Sequence, residues 1–302
     1  MSDLYQIYNE VANSFIERLK KDKNIIAVIL TGSMITKQIW NKSDIDLIII
    51  SDKEINLKNG LIIESGINFD INCYVRISFK TMMEKSLPDS VNKMKVNKGK
   101  LVFCRDKGLE KIITEYQLDF HERQLLMLRE FGIISSMLMK AKKNLAINCD
   151  VEESYFYLSA YIVEHVSNLI LLINSKDLEY EYKAIYAAKK IEPNLISEIF
   201  QANYLCEVST IEKALKGIEM YLDKNLRIVY QPLLDYCLKR SNDLDFIEAV
   251  EEYKTQYSDH ISIDLDWLVE KKILLRTENP TLLSWGSKLE INYKNYHIIN
   301  ND

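Results

Sequence analysis

The chain has 302 residues, of which 47% are hydrophobic and 27% are charged, and this balance fits about two folded domains and excludes a disordered protein. Its net charge of −5 gives no general attraction for nucleic acid, so nucleic acid is not an expected partner. Five scattered cysteines, no signal-peptide pattern and no apolar run near the roughly 18 residues of a membrane span predict a cytoplasmic protein without a membrane partner.

The first third of the chain predicts a mixed sheet with helices against it. Apolar residues recur at helical spacing over residues 4–21, which indicates the first helix. Helices are also expected at residues 79–86 and after Pro88. Five apolar or alternating runs predict strands, and they cover residues 25–30, 46–51, 61–64, 69–77 and 101–104.

The first two strands enclose the stretch with the most chemical content. Gly32 and Ser33 follow the first apolar run, where a strand passes into a helix whose N-terminus would attract anions. Asp44 and Asp46 open the second strand, and strand alternation directs both side chains to one face. Two such carboxylates are costly to hold together without a cation, and Mg²⁺ accepts these hard oxygen ligands together with substrate phosphates.

Asp70 fits the same chemistry. It lies in a later run in which apolar and polar residues alternate, so its side chain is expected on the polar face of another strand. Three acids on adjacent strands would hold two metal ions about 3.5 to 4 Å apart.

These residues resemble the signature of the DNA polymerase beta-like nucleotidyltransferase superfamily, and the layout is similar to antibiotic nucleotidyltransferases of the kanamycin type. The shared pattern is Gly32-Ser33, ten intervening residues, Asp44 and Asp46, and a later Asp70. The resemblance implies that the Gly-Ser turn holds the triphosphate of ATP or another NTP. It also implies that the three acids bind Mg²⁺, with Asp70 completing the metal site or acting as the base.

Several lysines belong to the same hypothesis. The family often has a further glycine four residues after the serine, and Lys37 holds that place here. We expect Lys37 and Lys42 to contact the nucleotide phosphates. A basic run farther along is either a footprint for phosphates or RNA or a solvated face, and its members are Lys93, Lys95, Lys98, Lys100, Arg105 and Lys107.

From His121 onward the apolar period becomes helical, which predicts a helical bundle. Two stripes joined by a loop at residues 148–150 are followed by helices at residues 182–191, 193–202, 211–222 and 244–257. The tail resembles a winged-helix fragment with a turn at residues 278–280, and we interpret it as a packing or dimer-contact module, which leaves a homodimer open. The fold class is therefore α+β, with a nucleotidyltransferase domain at residues 1–117, a helical domain at 118–258 and the tail at 259–302.

The resemblance implies an enzyme that transfers a nucleoside monophosphate to a hydroxyl of a small molecule, such as an aminoglycoside-like antibiotic, and releases pyrophosphate. The helical domain would form the acceptor wall. Besides Asp70, Glu130 and Glu164 on the long helices are candidates for the base, or else ordinary surface acids, and His165 is interpreted as a satisfied core histidine. The alternatives are nucleotidylation of a protein or RNA partner, as in antitoxins, and a non-catalytic nucleotide-binding regulator.

Overall fold

The computed structural model describes residues 2–56, 59–85, 91–148, 151–179, 181–241, 243–257, 263–282 and 290–299. The chain divides into two compact units, Met1–Leu118 and Asp119–Asp302. The first carries a mixed five-stranded sheet, and the second is a helical region that ends in a two-stranded hairpin. This confirms the α+β class, while the three-domain division stays a prediction.

The first unit follows the predicted elements closely. Its helices and strands are α1 (Ser2–Leu19), β1 (Ile25–Thr31), α2 (Ser33–Thr36), β2 (Ile45–Ser51), β3 (Gly60–Glu64), β4 (Ile67–Val75), α3 (Arg76–Lys85), α4 (Val91–Lys98), β5 (Lys100–Cys104) and α5 (Lys107–Thr114). The predicted fourth strand ran too far, because the chain turns helical at Arg76. The predicted start of the helix after Pro88 lies outside the described residues, which resume at residue 91.

The sheet has the order β3-β4-β2-β1-β5. The pair β2 and β4 is parallel and the other three pairs are antiparallel, so the sheet is mixed as predicted. The central strand β2 is buried on both faces. Leu47 and Ile49 belong to the core under α1, whereas Ile48 and Ile50 belong to the core with Phe79 of α3. Burial on both faces explains why β2 reads as an unbroken apolar run.

The second unit is helical over most of its length. Its helices are α6 (Phe120–Asn148), α7 (Val151–Tyr157), α8 (Val163–Ile173), α9 (Glu181–Ile191), α10 (Pro193–Leu205), α11 (Val208–Arg240), α12 (Phe246–Tyr257) and α13 (Leu265–Glu270). A π-helical turn, Leu158–Ile162, joins α7 to α8. Residues 149 and 150 of the predicted loop lie outside the described residues.

Helix α11 is longer than the sequence predicts. The expected helix stops at residue 222, yet α11 runs for 33 residues to Arg240 and contains Pro232. A proline inside a helix removes one backbone hydrogen bond and costs about 3 kcal/mol. Here the buried face continues past it through Val229, Leu233 and Leu234. Apolar burial of about 1.5 to 3 kcal/mol for each such side chain offsets that cost.

The tail packs within the second unit. The Trp267 ring of α13 lies 5.7 Å from the ring of Phe131 on α6, and its Nε1 donates to Asp223 at 2.9 Å. Strands β6 (Leu274–Leu282) and β7 (Glu290–Ile298) form the hairpin. The predicted turn at residues 278–280 is wrong, because Pro280 lies within β6 and pairs with Asn292. A two-stranded sheet has only edge strands, where proline is tolerated.

One segment of the second unit, Val151–Ile173, is long and apolar enough to cross a membrane by length and composition alone. It combines α7, the π-helical turn and α8. Half of its 18-residue apolar window is buried inside the unit, and Leu158, Val166 and Leu169 are among the buried residues. A core helix of a globular unit has the same composition. The prediction that no apolar run approaches the length of a membrane span is wrong for this segment.

A charged group lies in the core of the helical unit. The Glu130 side chain of α6 is 1% exposed, and its Oε1 accepts from Arg129 at 2.6 Å. Its Oε2 lies 2.7 Å from Nδ1 of His165 on α8. Both carboxylate oxygens therefore have partners, and His165 is bonded within the unit as expected. A buried, paired carboxylate of this kind is costly to disrupt from one side only.

We predict that Glu130→Ala destabilises the protein by about 3 kcal/mol, because it leaves Arg129 and His165 without their carboxylate in a largely buried site. The exposed Glu164→Ala should change stability by less than about 0.5 kcal/mol. Urea unfolding of both variants and the wild type checks this. Equal stability of the two variants would show that the Glu130 group contributes no net stability.

Candidate functional site

The turn after β1 requires glycine. Gly32 has a φ of 68°, in the region that residues with a Cβ atom rarely adopt. A Cβ atom at this position would also overlap the carboxylate of Asp46. The Gly32 turn and the carboxylate of Asp46, at the start of β2, are therefore in direct contact.

The helix that follows Gly32 is a single turn. Because α2 contains only Ser33–Thr36, its macrodipole is too short to carry an anion site by itself. What the turn offers instead is hydrogen-bonding groups, since the first N–H groups of any helical turn have no partner within it. This weakens the predicted role of the helix N-terminus and leaves the turn itself as the candidate phosphate site.

Two buried hydroxyls lie on either side of Gly32. The Oγ1 of Thr31 and the Oγ of Ser33 have no hydrogen-bond partner among the described residues, although both atoms are buried. A buried hydroxyl without a partner costs about 1 to 3 kcal/mol. Two such groups next to a glycine turn fit a ligand with several hydrogen-bond acceptors, such as a phosphate chain.

The strand register brings two of the predicted acids together. Asp46 of β2 pairs with Thr31 of β1 on one side and with Asp70 of β4 on the other. Directly paired residues on neighbouring strands have their side chains on the same face. Thr31, Asp46 and Asp70 therefore form one row across three strands.

Charge is concentrated at Asp46. Its side chain is 17% exposed, and burial followed by the nearby Asp44 carboxylate raises the pKa of Asp46 to about 6, against the lowering effect of Lys95. Asp70 acts in the same direction as Asp44. Asp44 thus lies close enough to the row to repel Asp46, and the three predicted acids form one negative group.

The loop before β2 positions Asp44. The Tyr8 hydroxyl of α1 donates to the Ser43 carbonyl at 3.1 Å, and the Ser43 hydroxyl accepts from the Trp40 backbone N–H at 3.1 Å. Burial and then Asp44 raise the pKa of Tyr8. The loop is thereby tied to α1, which fixes the approach of Asp44 to β2.

A lysine lies between two of the carboxylates. Lys95 of α4 places its Nζ 3.8 Å from Asp46 Oδ1 and 3.5 Å from Asp70 Oδ2. Neither Lys95 nor Thr31 is predicted as an individual site residue. Thr31 has a detectable signal, a polar residue that ends an apolar run before glycine. Lys95 has none, because it is one of several lysines in a basic run.

The acids fit a divalent cation by their chemistry. Among the described residues no three Asp, Glu, His or Cys side chains are grouped closely enough to hold a metal ion directly. Carboxylate oxygens are nevertheless the ligands that Mg²⁺ prefers, and the pKa of Asp46 is raised, first by burial and then by Asp44, despite the nearby Lys95. A cation already lies between Asp46 and Asp70 in the form of the Lys95 ammonium.

The two lysines predicted to contact phosphate have aromatic partners. The Lys37 Nζ lies 5.5 Å from the centroid of the Tyr5 ring, and Lys42 Nζ lies 5.8 Å from that of the Trp40 ring. Such contacts contribute about 0.5 to 1 kcal/mol at exposed sites. A role of Lys37 or Lys42 at the nucleotide stays a prediction.

Much of the basic run is engaged inside the first unit. Lys93 is 2% exposed and lies over the Tyr116 ring, Lys95 is paired with the carboxylates, and the Arg105 guanidinium donates to the carbonyls of Lys20 and Asp22. A phosphate footprint requires charges that face solvent. These three members of the run are therefore engaged within the first unit, which fits neither a simple solvated face nor an open phosphate footprint.

The two glutamates considered as bases differ in position. Glu164 is exposed, as expected for an ordinary surface acid, whereas Glu130 is buried and paired as described above. The interpretation of Glu130 as a surface acid is wrong, because Arg129 and His165 draw it into the core.

Comparison with known proteins supports the superfamily resemblance. Residues 13–108 match the family model described as polymerase beta, nucleotidyltransferase, and they include the turn, the three acids and Lys95. The first unit contains a polymerase beta-like nucleotidyltransferase domain. A domain of this family implies nucleotidyl transfer, for which an NTP and a divalent metal are typical. The finer similarity to kanamycin-type enzymes has no support in these comparisons.

A solved structure shares the fold. The crystal structure of a nucleotidyltransferase-like protein from Exiguobacterium sibiricum 255-15 matches 96% of this chain and 99% of its own, with a TM-score of 0.59 and 13% identity. At that identity the likeness concerns the fold alone. No curated protein matches the chain.

We predict that Asp46→Asn stabilises the metal-free nucleotidyltransferase domain above about pH 6. The ordinary pKa of 3.8 is raised to about 6 in the folded state, so the contribution of Asp46 to stability is present below about pH 4 and lost as pH rises through 6. The difference corresponds to on the order of 2 to 3 kcal/mol in favour of the variant at pH 7.5.

The check is urea unfolding in EDTA at pH 4.5 and pH 7.5, with the exposed Glu54→Gln as a matched control. The gain of Asp46→Asn over wild type should grow with pH, while the control should not change with pH. A gain of equal size at both pH values would contradict the raised pKa of Asp46.

Proposed function

We propose that the protein transfers a nucleoside monophosphate from an NTP, with ATP as the favoured donor, to a hydroxyl of a small molecule and releases pyrophosphate. The observation that carries this proposal is the row of Thr31, Asp46 and Asp70 across three strands, in contact with the Gly32 turn. The row and the turn together offer two hydroxyls, Thr31 and Ser33, that have no hydrogen-bond partner among the described residues, and two carboxylates. Hydroxyls can bind phosphate oxygens and carboxylates can bind the metal ion that accompanies a triphosphate.

In this proposal the Gly32 turn binds the triphosphate. The hydroxyls of Thr31 and Ser33 donate to phosphate oxygens, which gives these buried groups the partners they lack. The absence of a side chain at Gly32 lets the phosphate chain approach the backbone. Hydrogen bonds to a charged acceptor are about twice as strong as neutral ones, so these contacts would position the donor firmly.

Asp44, Asp46 and Asp70 would hold Mg²⁺. When bound, the ion would supply neutralisation of the triphosphate charge and activation of the acceptor hydroxyl. Burial is the main reason that the pKa of Asp46 is raised, and like-charge repulsion from Asp44 and Asp70 adds to it, so a bound cation would relieve that repulsion. Ligand binding would thus relieve a cost that the folded chain carries on its own.

We assign to Asp70 the role of the general base that accepts the proton of the acceptor hydroxyl. Its side chain is 32% exposed, so a substrate has access to it, and it lies beside Asp46 in the strand register. Glu130 is a poor alternative because both of its oxygens are occupied in a buried group. A general base must come within about 2.6 to 3.2 Å of the proton it accepts.

The acceptor is proposed only as a small molecule with a hydroxyl group, and an aminoglycoside rests on the similarity to kanamycin-type enzymes alone. The alternative of a protein or RNA acceptor depended on the basic run, three of whose members have partners inside the first unit. A cytoplasmic location and a homodimer stay proposals. Packing of Trp267 against Phe131 supports a packing role for the winged-helix-like tail.

The test is pyrophosphate release from each of the four NTPs in the presence of Mg²⁺, with a panel of hydroxyl-bearing acceptors that includes an aminoglycoside and a lincosamide. Asp46→Asn should lose release entirely while remaining folded, whereas Glu54→Gln should retain it. Labelled ATP with a cell lysate distinguishes small-molecule from macromolecular acceptors. Nucleotide binding without any pyrophosphate release would favour the non-catalytic regulator instead.

We further predict that Thr31→Val and Ser33→Ala weaken nucleotide binding by about tenfold to a hundredfold each without loss of folding stability. The hydroxyls have no partner among the described residues, so their removal costs the fold nothing, while the loss of a bond to a charged phosphate costs about 1.5 to 3 kcal/mol. Titration with a non-hydrolysable NTP and Mg²⁺ gives the affinities, with Thr36→Val as the control. Wild-type affinity in both variants would rule out the turn as the triphosphate site.

A further inference from the structure

Lys95 reaches the carboxylates because the backbone at the end of α4 lies very close to strand β1. Lys95 lies near the end of α4, and Val96 beside it is buried in the core with Ile29. At Gly99, just after α4, a Cβ atom would come within 2.5 Å of Ile29 Cγ2 and 3.0 Å of Thr31 Cγ2. Only glycine lets the end of α4 lie this close to β1. The site is thus built so that one lysine of the basic run reaches the row.

The ammonium of Lys95 is shared between two strands. It lies 3.5 Å from Asp70 and 3.8 Å from Asp46, and its side chain is 22% exposed. Its position is where a cation relieves the repulsion between the carboxylates of β2 and β4. A divalent cation held by the same two acids would compete for this position, because a lysine and a metal ion cannot both lie between them.

We propose that Lys95 is a positioning residue that acts as an internal counter-cation. Its ammonium holds Asp46 and Asp70 together in the metal-free chain, gives up this place to the divalent cation that enters with the nucleotide, and then pairs with the triphosphate. This inference rests on the proposed function.

The direction of the exchange follows from charge. Two carboxylates share one ammonium, so a divalent cation balances their charge better than Lys95 does. The lysine stem is flexible and its ammonium is a compact point charge with three donors, which suits a move of a few ångströms to a phosphate oxygen. Removal of the ammonium should therefore strengthen metal binding and weaken binding of the metal-bound nucleotide.

The experiment compares Lys95→Met, which keeps the length of the stem, with Lys100→Met as a matched control. Lys100 belongs to the same basic run and is exposed at the start of β5. Mn²⁺ binding without nucleotide is measured by electron paramagnetic resonance of the free ion, and thermal unfolding is followed with and without Mn²⁺. Affinity for a non-hydrolysable NTP is then measured at saturating Mn²⁺.

We expect Lys95→Met to bind Mn²⁺ at least tenfold more tightly than wild type and to bind the Mn²⁺-nucleotide at least tenfold more weakly. Its metal-free form should unfold at a lower temperature, and Mn²⁺ should restore it. Lys100→Met should match wild type in every measurement. Binding of Mn²⁺ by Lys95→Met but not by wild type would also support the exchange.

If the wild type binds Mn²⁺ and Lys95→Met binds it equally or more weakly, Lys95 is not a counter-cation that competes with the metal ion. The proposed function would be unaffected by that result. Failure of wild type and Lys95→Met alike to bind Mn²⁺, both being folded, would overturn the metal site itself and the inference with it. If Lys95→Met binds Mn²⁺ more tightly than wild type but binds the nucleotide with unchanged affinity, Lys95 does not pair with the triphosphate.

Discussion

The structure of the first unit depends on how the carboxylate of Asp46 is accommodated. Gly32 contacts it from one side, Thr31 and Asp70 flank it in the strand register, and Lys95 approaches it from α4. A partly buried carboxylate next to like charges is unfavourable, and nothing in the fold removes that cost completely, because the pKa of Asp46 is still raised to about 6. The sheet must therefore be stable enough elsewhere to hold this charge in place.

That stability comes from the two cores on either side of β2. On one face α1 packs on the sheet, where the rings of Phe15 and Phe69 lie 5.0 Å apart. On the other face Ile48 and Ile50 are covered together with Phe79. A strand anchored from both faces keeps its register, and a slip by one residue would turn Asp46 into the core. The precision of the site is thus a consequence of the apolar packing behind it.

The sequence predicts the sheet well for a physical reason. Strands β1 and β2 are short apolar runs with glycine or polar residues at their ends, and few structures other than a buried strand fit this pattern. Strand alternation also suffices to place Asp46 on the face of β2 opposite to Leu47 and Ile49, but that face is not polar, because Ile48 and Ile50 on it are buried as well. The pairing of β2 with β4 does not follow from the pattern, because neighbours in a sheet are set by packing over distances that local spacing does not encode.

The features that could not be predicted are those in which packing overrides a local signal. The expected helix stops at residue 222, yet α11 continues to Arg240 and passes through Pro232 because its apolar face stays buried. Glu130 fits the pattern of a surface acid, yet contacts with Arg129 and His165 hold it in the core. Lys95 is the same case in the site, since nothing near it in the sequence distinguishes it from Lys100.

The contrast between Glu130 and Asp46 separates a structural carboxylate from a functional one. Both are largely buried, but each oxygen of Glu130 has a protein partner within 2.7 Å, so its charge is balanced by the fold. Among the described residues Asp46 has only the shared Lys95 ammonium at 3.8 Å, and the Thr31 and Ser33 hydroxyls, which have no partner there, lie nearby. A buried carboxylate whose charge is not fully compensated destabilises the fold, and such groups are concentrated at functional sites. A metal-bound nucleotide has the positive charge and the hydrogen-bond acceptors to offset this destabilisation. The imbalance at Asp46, rather than the presence of acids as such, supports the proposal that this end of the sheet is the site of chemistry.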